Sequence, residues 1–122
     1  MRLLVASHKL CWSDPAAASG FATDGGFGVQ IGALAALFDE TIVCVPVARA
    51  APPGGLTPLP PTLTVRPLRD PGTGPLRRRA AVLVWIVPLV RALREADAVH
   101  APVPGDVGFL AVVLALVLRK PL

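Results

Sequence analysis

The sequence predicts an α/β fold in which a parallel sheet is covered by helices on both faces. Four apolar runs of four to seven residues alternate with three longer stretches of helical character, and short strands separated by helices are typical of a parallel sheet. Hydrophobic residues make up 53% of the 122 residues and charged residues 16%, which excludes intrinsic disorder. Fourteen prolines and eleven glycines argue against a coiled coil or a simple helical bundle.

The first half of the chain is predicted to hold two strands and one helix. Arg2–Ser7 is a short apolar run, which indicates a buried first strand. A long loop from His8 to about Asp24 follows. In Val29–Phe38, apolar residues at 31, 34, 35 and 38 have the spacing of a helix packed on a sheet. Thr41–Val47 is β-branched and apolar and predicts a second buried strand.

The second half is predicted to add two strands and two helices. A Pro- and Gly-rich loop over 48–61 precedes Leu63–Leu68, which indicates a shorter third strand. Leu76–Ala96 has no turn signal besides Pro88, so we expect one helix that is kinked near that proline. Ala98–Ala101 predicts the fourth strand, and Val107–Leu118 predicts the last helix.

Charge, aromatic content and cysteine content exclude several classes of function. The formal net charge is +4, but five of the twelve cations lie between Arg66 and Arg79, so the basic excess is a local patch. With no tyrosine, four phenylalanines and two tryptophans, the chain lacks platforms for stacking nucleic-acid bases, and no nucleic-acid partner is expected. Two cysteines, Cys11 and Cys44, are too few for a disulfide scaffold or a zinc site. Cys44 lies in an apolar run and is expected to be a small buried residue.

No segment has the pattern of a membrane span or an export signal. A span needs about 20 apolar residues, whereas the longest runs, Ala80–Val90 and Val107–Leu118, have eleven and twelve. Arg2 is followed by only four apolar residues before Ser7, which is too short for a signal sequence. We therefore expect a cytoplasmic chain with reduced thiols.

A basic cluster, Arg77-Arg78-Arg79, precedes the apolar segment Val82–Val87 and suggests contact with a membrane surface. In such a segment the cations meet anionic headgroups while Trp85 and its neighbours enter the acyl boundary. This contact would place the chain at the inner face of the plasma membrane. The alternative is a solvated helix N-terminus whose apolar body packs on the sheet.

A glycine-rich loop before the first helix is the first candidate binding site. Gly25, Gly26, Gly28 and Gly32 surround the mouth of that helix, where backbone N–H groups and the helix dipole can meet a phosphate. The spacing is not G-x-G-x-x-G, and about eighteen residues separate the loop from the first strand, so it is a poor dinucleotide fingerprint. A tight turn and close helix packing are the alternative explanation for the glycines.

Two histidines follow predicted strands at the edge where open α/β sheets bind ligands. His100 ends the fourth strand, where an imidazole can orient a hydroxyl or transfer a proton. The alternative is an imidazole bonded to a backbone carbonyl. His8 follows the first strand in the same way, and both interpretations apply to it. Asp24 and Asp106 precede helices and are expected to cap them or to occupy the first turn.

Three features occur in order along the chain. They are the opening strand Met1–Ser7, the Gly25-Gly26 loop leading into the helix Val29–Phe38, and the run Glu95-Ala96-Asp97-Ala98-Val99-His100. Together they resemble the N-terminal domain of retaining GT-B glycosyltransferases, in which one strand carries a similar aDvvH pattern. Pro102-x-Pro104-x-x-x-Gly108 and Arg119-Lys120-Pro121 look like that family's passage into a further strand. The resemblance covers most of residues 1–47 and 92–122.

The resemblance implies an incomplete, Rossmann-like, acceptor-side domain over residues 1–122, with the C-terminal donor-binding domain of the GT-B fold absent. It implies that Gly25, Gly26 and Gly28 form a loop near the donor diphosphate and that His100 is the catalytic candidate in the acceptor-side cleft. The implied reaction moves a glycosyl group from a nucleotide-sugar to an acceptor with retention. The implied partners are the donor, an acceptor and the missing domain, and neither a metal nor a cofactor is expected.

Because that family's active site forms between two domains, we expect the chain alone to be inactive. Two other interpretations stay open. One is a non-catalytic Rossmann-like module that binds a nucleotide, and the other is a peripheral membrane-surface protein that uses Arg77, Arg78 and Arg79.

Overall fold

The chain forms seven strands and three helices. The computed structural model describes all of residues 1–122. In chain order the elements are β1 (Arg2–Ala6), β2 (Trp12–Ser13), β3 (Phe21–Thr23), α1 (Phe27–Ala35), β4 (Glu40–Val47), β5 (Thr57–Pro58), β6 (Leu63–Arg69), α2 (Pro75–Glu95), β7 (Ala98–His100) and α3 (Asp106–Val117).

The centre of the molecule is a four-stranded parallel sheet in the order β6-β4-β1-β7. Leu4 on β1 pairs with Ile42 on β4 and with Val99 on β7, and all three side chains are buried. The predicted parallel α/β sheet is therefore confirmed, and the four strands lie where the apolar runs placed them to within one residue at each end. This arrangement is consistent with a Rossmann-like α/β fold.

Helices cover the sheet on both faces, as predicted. On one face, α2 and α3 bury a cluster of fifteen residues that includes Trp85, Leu89 and Leu93. On the other face, α1 and the loop residue Leu59 contribute to a cluster of nine. Cys44 lies in the first cluster, which confirms the expectation that it is buried, and Cys11 lies in the second.

A second, smaller sheet was not predicted. It is antiparallel, has the order β2-β3-β5, and occupies segments that the sequence indicated as loops. Two of its strands have two residues and the third has three, which is too short for an alternating pattern to show. A single parallel bridge from Cys11 to Val47 connects this region to the main sheet at the carboxyl end of β4.

The helices differ from prediction mainly at their ends. The first helix begins at Phe27 and ends at Ala35, so the predicted residues 36–38 form a turn instead. The long helix continues through Pro88 as a single element. The last helix buries Val107, Ala111 and Ala115 toward the sheet but leaves Phe109 exposed on its outer side, together with Val113, Leu116 and Val117.

No helix combines the length and hydropathy that crossing a membrane requires. After α3, the chain returns beside β7, where the Val99 N–H donates to the carbonyl of Pro121 at 2.9 Å. The Lys120 ammonium also donates to the Ala96 carbonyl at 3.0 Å, which holds this segment against the end of α2.

Candidate functional site

The strand order reverses between β1 and β7, and the carboxyl edge of the sheet at this reversal is where a ligand-binding crevice is expected. Numbered along the chain, the four parallel strands have the order 3-2-1-4. The second and third strands, β4 and β6, therefore lie on one side of β1, and the fourth strand, β7, lies on the other side. Open α/β sheets bind ligands at this reversal, because the flanking loops diverge there. Both predicted histidines lie at this edge: His8 lies two residues after β1, and His100 is the last residue of β7.

His8 packs on the N-terminus of α3, and Ser7 lies between it and the end of β1. Its imidazole contacts Gly105 so closely that a Cβ at that position would overlap the ring. The extended backbone of Gly105, with φ 166°, is open to any residue, so the contact with His8 is the reason for glycine. His8 lines a cavity of about 240 Å³ together with Arg78, Trp85, Gly105, Asp106, Val107 and two prolines, Pro46 and Pro71.

His100 ends β7, where it pairs with Val5, and its side chain is exposed. It is not among the residues that line the cavity of His8. Neither imidazole makes a hydrogen bond within the chain. The alternative in which a backbone carbonyl holds the ring is therefore wrong for both histidines.

The glycine loop divides into an exposed part and a packed part. Gly25 has φ +69° and Gly26 is the N-cap of α1, and both are exposed. Gly28 is buried, and an added Cβ would lie 3.3 Å from Cδ2 of Leu59. Close packing therefore explains Gly28, while a phosphate contact remains a prediction for the Gly25-Gly26 pair. Because Gly28 is buried, it has no exposed surface with which to contact a donor diphosphate.

The N-terminus of α1 is free of side-chain caps and carries a cation nearby. Neither a side-chain cap nor an acidic first-turn residue is present. Asp24 was expected to serve the helix, but its carboxylate pairs with the ammonium of Lys9, which lowers the pKa of Asp24. The same ammonium lies 3.9 Å from the point where a Cβ on Gly25 would sit. Asp106, in contrast, does occupy the first turn of α3 as predicted.

The arginines between Arg66 and Arg79 lie in different surroundings. Arg66 pairs with Glu95, Arg78 lines the His8 cavity, and Arg77 lines a second cavity of about 520 Å³. This second cavity also holds Arg69 and Arg49. Arg49 was missed because it lies in a Pro- and Gly-rich loop. Its position just after β4, at the edge where Arg69 ends the neighbouring strand β6, is a signal that could have found it.

Trp85 does not lie on an outer surface. Only 2% of its area is exposed, and its Nε1–H donates to the Arg69 carbonyl at 2.9 Å. The expectation that Trp85 enters a lipid boundary is wrong, because the helical period turns positions 81, 85 and 89 toward the sheet. The exposed large apolar residues of α2 are instead Leu76, Leu83, Val84 and Val87.

Comparison with protein-family models, with curated proteins and with solved structures found no match for this chain.

Proposed function

We propose that this chain is the acceptor-side domain of a retaining glycosyltransferase, which moves a glycosyl group from a nucleotide-sugar to an acceptor. The observation that carries the proposal is the strand order, which reverses between β1 and β7 and sets His100 at the carboxyl end of β7. The ordered motifs that resemble GT-B glycosyltransferases support the same assignment. The proposal includes a second, nucleotide-binding domain and a cytoplasmic location.

The acceptor side of the reaction is assigned to the two histidines. During transfer with retention, the acceptor oxygen bonds to the sugar C1 on the face from which the donor phosphate leaves, the bond from C1 to the phosphate breaks, and the acceptor hydroxyl loses its proton. An imidazole within hydrogen-bond reach of that hydroxyl orients it and takes up its proton. His100 is the better candidate because its strand partner Val5 faces the α1 layer that carries the glycine loop, whereas His8 packs on the other face against Gly105 at the N-terminus of α3.

The donor side is assigned to the Gly25-Gly26 pair. The exposed N-terminus of α1 offers backbone N–H groups and a positive dipole end, which stabilise a leaving diphosphate. The Lys9 ammonium next to Gly25 is paired with Asp24, so the backbone N–H groups and the helix dipole carry this assignment. The remaining nucleotide contacts belong to the second domain, so we expect sugar nucleotides to bind this chain weakly and its isolated activity to be absent.

Glycine substitutions test the proposal without unfolding the chain. At Gly26, φ is −89° and an added Cβ would meet nothing within 4 Å, so Gly26→Ala adds an exposed methyl group without strain. We expect NMR titration with UDP-glucose, ADP-glucose and GDP-mannose to shift the amide signals of Gly25, Gly26 and His100 for at least one donor. Gly26→Ala should weaken this response about tenfold, because the methyl group keeps the diphosphate off the backbone.

Gly54→Ala is the matched control, because Gly54 is exposed and an added Cβ there also meets nothing within 4 Å. It should leave the titration unchanged. A response to a nicotinamide dinucleotide with none to any sugar nucleotide would replace the proposal with the nucleotide-binding module. A complete lack of response at the crevice would leave neither function standing.

A further inference from the structure

We propose that the cavity lined by Arg49, Arg69 and Arg77 is a binding site for a phosphate group carried by a small phosphate ester or by a lipid headgroup. This inference does not depend on the proposed glycosyl transfer. It concerns a surface beside β6 and the first turn of α2, and the crevice between β1 and β7 plays no part in it.

Three arginines from three different segments converge on this cavity. Val47 pairs with Arg69 across β4 and β6, so Arg49, two residues beyond Val47, lies at the same end of the sheet. The Arg69 backbone is held by the indole of Trp85. Arg77 comes from the first turn of α2. The cavity of about 520 Å³ lies within the size range of ligand pockets.

None of the three guanidinium groups has a carboxylate partner. The ion pairs of the chain involve the N-terminus, Arg2, Lys9 and Arg66 instead. Asp70 is the one acidic residue in the lining, and one of its oxygens accepts the Gly72 N–H at 3.0 Å. Three positive charges against one negative charge leave the cavity with two positive charges. A bound dianion relieves their mutual repulsion and gains charge-assisted hydrogen bonds.

The loop after β6 is shaped to hold Arg77 over this cavity. Gly72 has φ +67°, a conformation that favours glycine, and a Cβ there would lie 3.5 Å from Cδ and 3.6 Å from Nη1 of Arg77. The exposed Arg77 side chain therefore passes close to the turn. Planar guanidinium groups bind phosphate oxygens in pairs, which makes arginine better suited than lysine to this role. No acidic residue in the first turn of α2 competes with a bound anion.

The lining of the cavity is compatible with two sources of the phosphate group, a soluble ester and a phospholipid. Val84 lines it and belongs to the exposed apolar row of α2 with Leu83 and Val87. A soluble ester would use the arginines alone, whereas a phospholipid would place its headgroup on them and its acyl region along that row. The recognised chemistry is the same in both cases.

The test compares the double variant Arg69→Gln/Arg77→Gln with the control Arg79→Gln/Arg91→Gln. Both remove two exposed arginine charges, but neither control residue lines the cavity. Glycerol 3-phosphate and inorganic phosphate are titrated by NMR at constant ionic strength set with chloride. Vesicles of phosphatidylcholine with and without phosphatidic acid are assayed by co-sedimentation. We expect the cavity variant to weaken phosphate binding about tenfold or more and the control less than about twofold.

Two further variants make the outcome independent of any one substitution. Arg49→Gln, in a separate loop, should weaken binding as well. Asp70→Asn keeps an oxygen for the Gly72 N–H and removes the opposing charge, so it should tighten binding about two- to fivefold. Binding of the soluble ester identifies a soluble ligand, and binding only to phosphatidic acid vesicles identifies a lipid headgroup. Equal losses in cavity and control variants, or no preference for phosphate over chloride, overturn the proposal.

Discussion

On one face of the sheet, a 21-residue helix and a 12-residue helix cover fifteen buried residues, whereas on the other face a nine-residue helix covers nine. The first layer buries an indole and several leucines of α2. The second layer depends on Leu59, a loop residue, and on the small antiparallel sheet next to it. The difference indicates that the α2/α3 layer holds the fold together, while the α1 layer supports the glycine loop and is the less stable of the two.

The largest expected effect comes from removing one anchor from each layer. Trp85→Ala should lower the free energy of unfolding by about 3–5 kcal/mol, because it empties a buried site and leaves the Arg69 carbonyl without its donor. Leu59→Ala should cost about 2 kcal/mol, since the surrounding loop can close over the missing atoms. Urea denaturation of both variants measures the difference, and a larger loss for Leu59→Ala would contradict the comparison.

An effect of intermediate size is expected in the rates at which the two cysteines are modified, because each cysteine lies in one layer. Burial raises the pKa of Cys11 to about 11 and that of Cys44 to about 12, so neither thiol is ionised at pH 8. Only the thiolate reacts, so modification in the native state requires local opening. Cys11 lies at a single bridge beside β4, whereas Cys44 lies within that strand between two neighbours.

Modification of Cys11 by a disulfide reagent at pH 8 should therefore be about tenfold faster than that of Cys44. Single-cysteine variants, Cys11→Ala and Cys44→Ala, assign each rate to one thiol. Equal rates would mean that the two layers open together and that the chain has no less stable face.

The smallest expected effect is a pH dependence confined to the glycine loop. The Lys9 ammonium lowers the pKa of Asp24 below its usual 3.8. A carboxylate whose pKa is lower in the folded state stabilises that state above about pH 3.8, and this contribution is lost as the pH falls through the folded value. The Gly25 and Gly26 amide signals should therefore shift in acid before those of α2. In Asp24→Asn, the Gly25 and Gly26 amide signals at neutral pH should lie where the unsubstituted chain shows them in acid. An unchanged spectrum in that variant would contradict the ion pair's role.

Several elements were predictable because their physical causes are local. The β-branched run Thr41–Val47 and the apolar run after Met1 bury side chains on both faces, and this composition alone indicates central strands of a parallel sheet. The carboxyl-edge location of His8 and His100 followed from the strand assignments. The helix over Pro75–Glu95 followed from the lack of any turn signal besides one proline.

Other features depend on segments that are far apart in the chain. β5 forms because Thr57 and Pro58 pair with β3, more than thirty residues earlier, and a two-residue strand has no pattern of its own. Trp85 was placed on the wrong side because the composition of Val82–Val87 does not define a face, although the spacing of 81, 85 and 89 does. Gly28 was grouped with Gly25 and Gly26 because nothing local reveals Leu59 next to it.

Local sequence patterns were enough to predict the fold class, the four parallel strands and the edge of the sheet at which His8 and His100 lie, because apolar composition and turn residues act over a few positions. Only the tertiary structure decided which cations share a cavity, which glycines are exposed and which face of α2 is buried. Arg49 and Arg69 belong together because β4 and β6 are neighbours in the sheet. Strand pairing brings distant residues to one place, and the free energy of that pairing depends on the whole core and not on any local pattern.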